Sequence, residues 1–372
     1  MSRRTGANAL LETSWRPEAA TVMRGLAGWL EQHAPELGPV RAARFPDEGG
    51  SSFNLMFETE PVGGGSASYV AKLGSPGPSF MTFPDESLSR QRRVVDLVRS
   101  AVGLPAPEVL HYEEDVSWLG AAFYIMPRYA GRPWPSDPPY TFAGWVKEAT
   151  PDERRAMQSS FVEVLARLHM VTTANADLEF LRREDLGASP LAAQVGYLDN
   201  LYHWARRGVR FPLVERALAW LTEHLPIRHE PGCLTWGDAR AGNLLFDGHR
   251  VTTVLDWEGA SIGQPEIDLT FAEVMHRYYQ QRAESLGKCG LPDVFRGEDL
   301  AAEYAGLTGR EPRDLAWHRI LAATRAAAIQ VRFVRRPVPS REREPTDAIA
   351  DDRLTIGTLL SQLLDDAGAG PT

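Results

Sequence analysis

Residues 233–258 read CLTWGDARAGNLLFDGHRVTTVLDWE. Two apolar runs, Leu244–Phe246 and Val251–Leu255, flank Asp247-Gly248, a dipeptide that strongly favours a two-residue β-hairpin turn. With those two residues as the turn, Asp256 falls opposite Ala239 and comes back beside Asp238, while Asn243 lies on the same arm. Two acids and a carboxamide then converge at one end of a hairpin. Three hard oxygen donors of this kind suit Mg²⁺, which keeps waters and substrate phosphates in the rest of its shell.

Working outward, the 372-residue chain is long enough for two cores, and its 43% hydrophobic and 24% charged residues are those of a globular protein. A net charge of -9 opposes non-specific nucleic-acid binding, which needs a basic face, so no nucleic-acid partner is expected. Cys233 and Cys289 are the two cysteines; they make no disulfide framework and fit a reducing cytoplasm. The apolar run Ala9–Leu11 is too short for a signal sequence, and nothing approaches the ~20 apolar residues of a membrane span. A cytoplasmic location without membrane contact is the expectation.

Apolar spacing predicts a helix over 17–34, with Val22, Leu26, Trp29 and Leu30 on one stripe, and another over Leu88–Arg99. Short runs at Ser52–Glu58, Ser68–Leu73, Glu113–Leu119 and Ala121–Met126 read as strands of a mostly antiparallel sheet. Four prolines within Gly131–Tyr140 mark a boundary. Beyond it come helical stretches at Asp152–His169, Pro190–Leu225 and three or four after Ile267, with the strand-rich island at 233–257 as the exception. The fold class is therefore α+β, with lobes at 1–131 and 132–372.

Phosphoryl transfer needs a carboxylate to orient and accept the proton of the attacking hydroxyl, and metal ligands to hold phosphates. Asp238 and Asn243, five residues apart, have the Asp-to-Asn spacing of the kinase catalytic loop, and Arg240 is suited to stabilise charge on the transferring group. The competing reading is a surface hairpin whose Asp and Asn only shape turns. Asp256, at the end of an apolar strand, weighs against it.

Trp236-Gly237-Asp238-Ala239-Arg240-Ala241-Gly242-Asn243, Leu255-Asp256-Trp257-Glu258 and Gly263–Leu269 together resemble the aminoglycoside phosphotransferase superfamily. The resemblance covers roughly residues 40 to 335. It is nearest to an actinobacterial branch related to the kinase domain fused to some acyl-CoA dehydrogenases. It implies a two-lobed, protein-kinase-like fold that uses ATP and Mg²⁺. Asp238 is then the catalytic base, Asn243 and Asp256 bind the metal, and Asp268 is a buried structural acid. The superfamily usually has His where Trp236 stands; that His is a scaffold bonded to backbone near the metal-binding Asp, and Trp keeps an N–H donor.

The same resemblance assigns the nucleotide site. Lys72, in Tyr69–Leu73, corresponds to the lysine that holds the α- and β-phosphates. Gly49-Gly50-Ser51-Ser52 resembles the phosphate loop, where small residues let N–H groups approach phosphate oxygens; Phe53 interrupts its usual Ser-Asn pair. The acid that should pair with Lys72 is replaced by Gln91, and Glu86 is a poorer substitute. Phe123–Gly131 looks like the inter-lobe hinge, with Met126 behind the adenine and the backbone of Pro127 and Tyr129 at its edge. Pro127 has no N–H, so Tyr129 must donate.

The acceptor is expected over Asp238, against His276–Tyr279 and the helix carrying Trp317, His318, Arg325, Arg332, Arg335 and Arg336. Arginines there would suit an anionic acceptor, unless they form a solvated face. The expected activity is transfer of the γ-phosphate to a hydroxyl of a small molecule. The alternatives are a silent nucleotide-binding module, suggested by Trp236 and Gln91, and a protein kinase, disfavoured because no activation segment follows Asp256.

Overall fold

The computed structural model describes residues 19–45, 53–61, 63–78, 80–227, 230–335 and 351–368. These form two compact units, one of 19–96 and 107–129, the other of 97–106, 130–335 and 351–368. Ser51, Ser52 and Arg336 lie outside the described residues. No described helix is long and apolar enough to cross a membrane.

In the first unit, helix α1 (Ala19–His33) precedes strands β1 (Val40–Arg44), β2 (Phe53–Thr59) and β3 (Ala67–Leu73). Helix α2 (Leu88–Val102) then leads to β4 (His111–Glu113) and β5 (Phe123–Pro127). The strands make one antiparallel sheet in the order β1-β2-β3-β5-β4. Side chains alternate across a strand, so Leu55, Phe57, Ala71, Leu73, Phe123 and Ile125 share one face. The α1 stripe of Val22, Leu26, Trp29 and Leu30 covers it. The Trp29 ring meets Phe123 edge-on at 5.2 Å, and its Nε1 donates to Glu113 at 2.8 Å. On the opposite face the register sets Lys72 between Asn54 and Tyr124, and Val70 between Met56 and Met126, with Leu88 of α2 packed on this layer.

Two elements differ from the sequence reading. β1 has mostly exposed residues and little alternation, as an edge strand can, so periodicity does not pick it out. The strand expected over Glu113–Leu119 is instead His111–Glu113. Beyond it the Glu113 and Asp115 carboxylates accept from the N–H groups of Asp115 and Ser117, local bonds that end the ladder.

The second unit is mainly helical: α3 (Trp145–Glu148), α4 (Pro151–Leu168), α5 (Pro190–Arg206), α6 (Pro212–Glu223), α7 (Glu266–Ser285), α8 (Gly297–Thr308), α9 (Leu315–Arg335) and α10 (Gly357–Asp366). Between α6 and α7 lie the short strands β6 (Cys233–Thr235), β7 (Leu244–Asp247), β8 (Arg250–Val254) and β9 (Ser261–Gly263). A capping box of Thr150 and Glu153, with Pro151 next, starts α4. The stretch 190–225 is two helices because Arg207 turns left-handed and Pro212 opens a new first turn. Helix α9 packs against α5, α6, α7 and α10 and is buried along most of its length, as a helix apolar on nearly all sides must be. The α+β class expected from the sequence is the class observed.

Leu26 is wholly buried under the sheet. Leu26→Ala should therefore cost about 2–5 kcal/mol, read as a lower urea midpoint with an unchanged slope.

Candidate active site

The site in the second unit is built from one buried carboxylate outward. Asp268, in the first turn of α7, has no exposed surface. Its Oδ2 accepts from Trp236 N at 2.7 Å and its Oδ1 from Gly237 N at 2.7 Å; His169 Nε2 lies 3.1 Å from Oδ2. Two backbone amides just beyond β6 are thus pinned to the start of α7. Gly237 itself has φ +80, and a Cβ there would lie 2.1 Å from Gly259 O. Only glycine lets the loop approach the 257–259 turn so closely.

Pinned in this way, Trp236 sends its side chain inward. It is fully buried, and Nε1 donates to the carbonyls of Leu255 and Asp256 at 2.9 and 3.0 Å. The N–H donor expected to stand in for the usual His is therefore used on the backbone of Asp256. That residue is left-handed, with φ 55 and ψ 70, a conformation that costs a non-glycine residue about 1–3 kcal/mol unless its surroundings hold it. The indole bonds are part of that hold.

Asp238 follows, half-buried. Asn243 Nδ2 donates to its Oδ2 at 2.6 Å and to its main-chain oxygen at 3.2 Å, and Arg240 Nε lies 3.1 and 3.2 Å from its two carboxylate oxygens. The Asp238 carboxylate, with a smaller contribution from Asp256, holds the Arg240 guanidinium charged well beyond its usual range. The loop thus brings Asp238, Arg240 and Asn243 together, with Asp256 close enough to act on Arg240.

The hairpin does so in a different register from the one read off the sequence. Asp247 pairs with Arg250, so Gly248-His249 is the turn, and a bulge between Leu245 and Phe246 shifts the ladder again. Gly248, at φ 55, takes the position that needs a positive angle. Leu244 pairs with Val254, and Leu255 N donates to Asn243 O at 2.8 Å. That register carries Asp256 opposite Gly242, beside Asn243, and not opposite Ala239.

The donor set fits a magnesium ion. Asn243 turns its Nδ2 toward Asp238, which leaves Oδ1 for a cation, and Asp256 adds a carboxylate. Among the described residues no cluster of three His, Cys, Asp or Glu side chains could hold a metal. A site with two protein oxygens and an otherwise open shell is the arrangement Mg²⁺ accepts when phosphates supply further ligands.

In the first unit Lys72 is buried on the sheet face that also carries Met126. Gln91 is buried in α2, and its Oε1 has no hydrogen-bond partner. Gln91, which stands where the acid partner of Lys72 is expected, therefore makes no Oε1 bond to the Lys72 ammonium. Glu86 is occupied elsewhere, accepting from Ser75 and from the N–H groups of Thr82 and Phe83. At the end of β5, Arg128 N donates to Ser68 O, and Tyr129 Oη accepts from Glu108 N. Tyr129 N–H has no partner among the described residues.

Beside Arg240 and Gly242 lies a narrow crevice lined by Trp134, Tyr140, Met275, His276, Tyr279 and Phe295. His276 Nε2 faces Leu291 O at 2.9 Å and must donate, so Nδ1 accepts from the Tyr140 hydroxyl at 2.8 Å. Burial lowers the His276 pKa from 6.5 to about 4. The helix expected to line the acceptor with arginines does not reach this crevice. Arg325 stacks over Phe271 and Arg332 over Trp204, both buried inside the helical unit. Trp317 Nε1 donates to Leu221 O. Of His276–Tyr279, only His276 and Tyr279 line the crevice.

Residues 43–287, a span that includes all these loop residues, match the family model described as "Phosphotransferase enzyme family". The chain belongs to that family. This phosphotransferase-family chain is 27% identical over 323 residues to rat acyl-CoA dehydrogenase family member 11, covering 82% of this chain and 38% of the relative. It therefore spans less than two-fifths of that protein's length. Among solved structures it is similar to one described as a candidate aminoglycoside phosphotransferase from Ralstonia eutropha. The TM-score is 0.61 and the identity 21%, covering 91% of this chain and 95% of the other. It is also similar to APH(2")-IIia, solved with GDP and kanamycin, at a TM-score of 0.53 and 12% identity over 93% and 99% of the two chains. At such identities the likeness is one of fold, the protein-kinase-like α+β arrangement expected from the sequence.

Two outcomes follow for this phosphotransferase-family chain. Trp236→Phe keeps the ring but leaves the Leu255 and Asp256 carbonyls without their donor. It should cost about 1–3 kcal/mol, measured by chemical denaturation. His276 is neutral in the fold, so its contribution is complete above pH 6.5 and is lost as the pH falls toward 4. That loss is at most about 3 kcal/mol. Melting temperature followed from pH 7 to 4 should fall for the wild type, and the part due to this group should be missing in His276→Asn.

Proposed function

We propose that this chain is an ATP-dependent phosphotransferase that moves the γ-phosphate to a hydroxyl of a small molecule, with Asp238 as the base. The observation that carries the reading is the state of Asp238. It is a half-buried carboxylate fixed from one side by Asn243 and Arg240, and an oriented carboxylate of this kind can accept a hydroxyl proton as the oxygen attacks. Arg240 touches Asp238 through Nε; its two terminal nitrogens make no hydrogen bond among the described residues and are the groups assigned to charge on the phosphoryl oxygens. Asn243 and Asp256 are the residues that would hold Mg²⁺, whose chemistry there is neutralisation of phosphate charge. Lys72 is assigned to the nucleotide phosphates, with Met126, the Pro127 carbonyl and Tyr129 N–H assigned to the adenine. Ser51 and Ser52 keep their assignment to the phosphate loop from sequence alone. The family match and a structural neighbour solved with GDP and kanamycin support the reaction class.

A second reading, a silent nucleotide-binding module, is favoured by one observation. Gln91 stands where a charged partner for Lys72 is expected, and its buried Oε1 is unpartnered. Uncharged Gln gives the lysine no charge-assisted bond.

The two readings separate on one variant. Asp238→Asn should lower Mg²⁺-dependent transfer by about 10²–10⁴-fold and leave ATP affinity within about threefold, as expected when a group acts only in the chemical step. Radiolabelled transfer and nucleotide titration measure the two quantities. A wild-type chain that binds ATP and transfers nothing across a broad acceptor panel is the silent module.

A further inference from the structure

The crevice beside Arg240 has a chemical character that the family match does not specify. Its walls are the aromatic rings of Trp134, Tyr140, Tyr279 and Phe295, the thioether of Met275 and the His276 imidazole, which burial keeps neutral. No carboxylate lines it, and Arg240, already bound to Asp238, is its one charged residue. The free volume for a water-sized sphere is about 20 Å³, room for one or two waters. A sugar ring does not fit such a slot as it stands, whereas the one or two heavy atoms that end a slender chain do.

Polar groups inside are few and placed. Tyr140 and His276 satisfy each other and Leu291. Two donors remain. Trp134 is 1% exposed, and its buried Nε1 has no hydrogen-bond partner. The Tyr279 hydroxyl makes no hydrogen bond among the described residues, and Tyr279 is close enough to Asp238 and Arg240 for both to act on it. A buried N–H left unpaired is unfavourable, so a ligand oxygen that accepts it is favoured. A polycationic group gains little here: the rings offer cation–π attraction, but no lining carboxylate pairs with several ammonium charges as they lose their hydration.

We propose that this slot receives the reacting end of the acceptor, and that it selects an uncharged alcohol on a slender apolar chain with a second oxygen nearby. Polycationic sugars are excluded. Trp134 and Tyr279 position the ligand by donating to its oxygens, and Asp238 takes the proton. The assignment of the proton to Asp238 rests on the phosphotransferase reading; the class of ligand rests on the slot alone.

The test therefore separates binding from turnover. The full chain and its Trp134→Phe, Tyr279→Phe and Met275→Glu variants are titrated with 1,2-hexanediol and with kanamycin by saturation-transfer NMR. Phosphate transfer is followed on the same samples by ³¹P NMR. The diol should bind the wild type, and kanamycin should neither bind nor displace it. Losing one donor in Tyr279→Phe or Trp134→Phe should weaken the diol about three- to tenfold, seen in KM more than in kcat. A carboxylate set among the rings in Met275→Glu should weaken it by at least about tenfold. The proposal is overturned if kanamycin binds more tightly than the diol. It is equally overturned if the two conservative variants, folded by circular dichroism, bind the diol as the wild type does. A diol that binds and responds to the slot variants upholds the slot; if no acceptor of the broad panel is then phosphorylated, the phosphotransferase reading alone fails.

Discussion

The Asp268 carboxylate is the constraint on which the second unit's site depends. It is fully buried and accepts from two consecutive amides, Trp236 and Gly237, with His169 against one of its oxygens. A buried carboxylate is tolerable only with such partners, and the same bonds set where the loop leaves β6. From that point geometry propagates outward. Gly237 passes against Gly259, the Trp236 indole reaches the Leu255 and Asp256 carbonyls, and Asp238 emerges with Asn243 and Arg240 beside it. The loop is held from behind by neutral-to-charged hydrogen bonds, so its exposed side can carry charge without having to supply stability.

That division explains why a residue in a strained conformation persists. Asp256 sits in the left-handed region with its carbonyl bonded to the Trp236 indole and with β8 ending just before it. Bonds to rigid neighbours over-determine the backbone there, and they are the condition under which such strain survives at functional positions. The Trp236 ring N–H supplies the backbone donor that the family resemblance leads one to expect there, and it fills the space with a large fully buried ring.

Much of this was legible in the sequence, and the reasons for the rest are physical. The α1 stripe of Val22, Leu26, Trp29 and Leu30 is buried as its periodicity implies, because helical spacing reports a face directly. The hairpin was legible, but its register was not. Asp247-Gly248 and Gly248-His249 are both acceptable turn pairs, and a bulge cannot be read from composition. Spacing also does not say what lies against a face. The arginines of α9 were read as a possible lining for an anion, yet tertiary packing set Arg325 and Arg332 over rings inside the unit. The pairing of His169 with Asp268 joins residues far apart in the chain, and nothing local announces it. Trp134 and Tyr140 lie in a proline-rich stretch that reads as a boundary; only the fold turns them toward α7.

Charge balance ties the two halves of the site together. The 237–243 loop and the residue after Leu255 bring two carboxylates, Asp238 and Asp256, toward one guanidinium, and both hold Arg240 charged. In a partly desolvated place the Coulomb terms among these groups are several-fold stronger than in water. On the proposed reading, a hard cation at Asn243 and Asp256 would offset the two carboxylates, and a polyphosphate would balance the cation. The neighbouring slot, lined by rings and a neutral imidazole, adds no further charge to be compensated. An acceptor that brought its own positive charges would find Asp238 already engaged by Arg240, and would have to break that pair while losing its hydration. On the proposed reading, charge belongs to the phosphate side of the site, and shape and hydrogen-bond donors choose the acceptor.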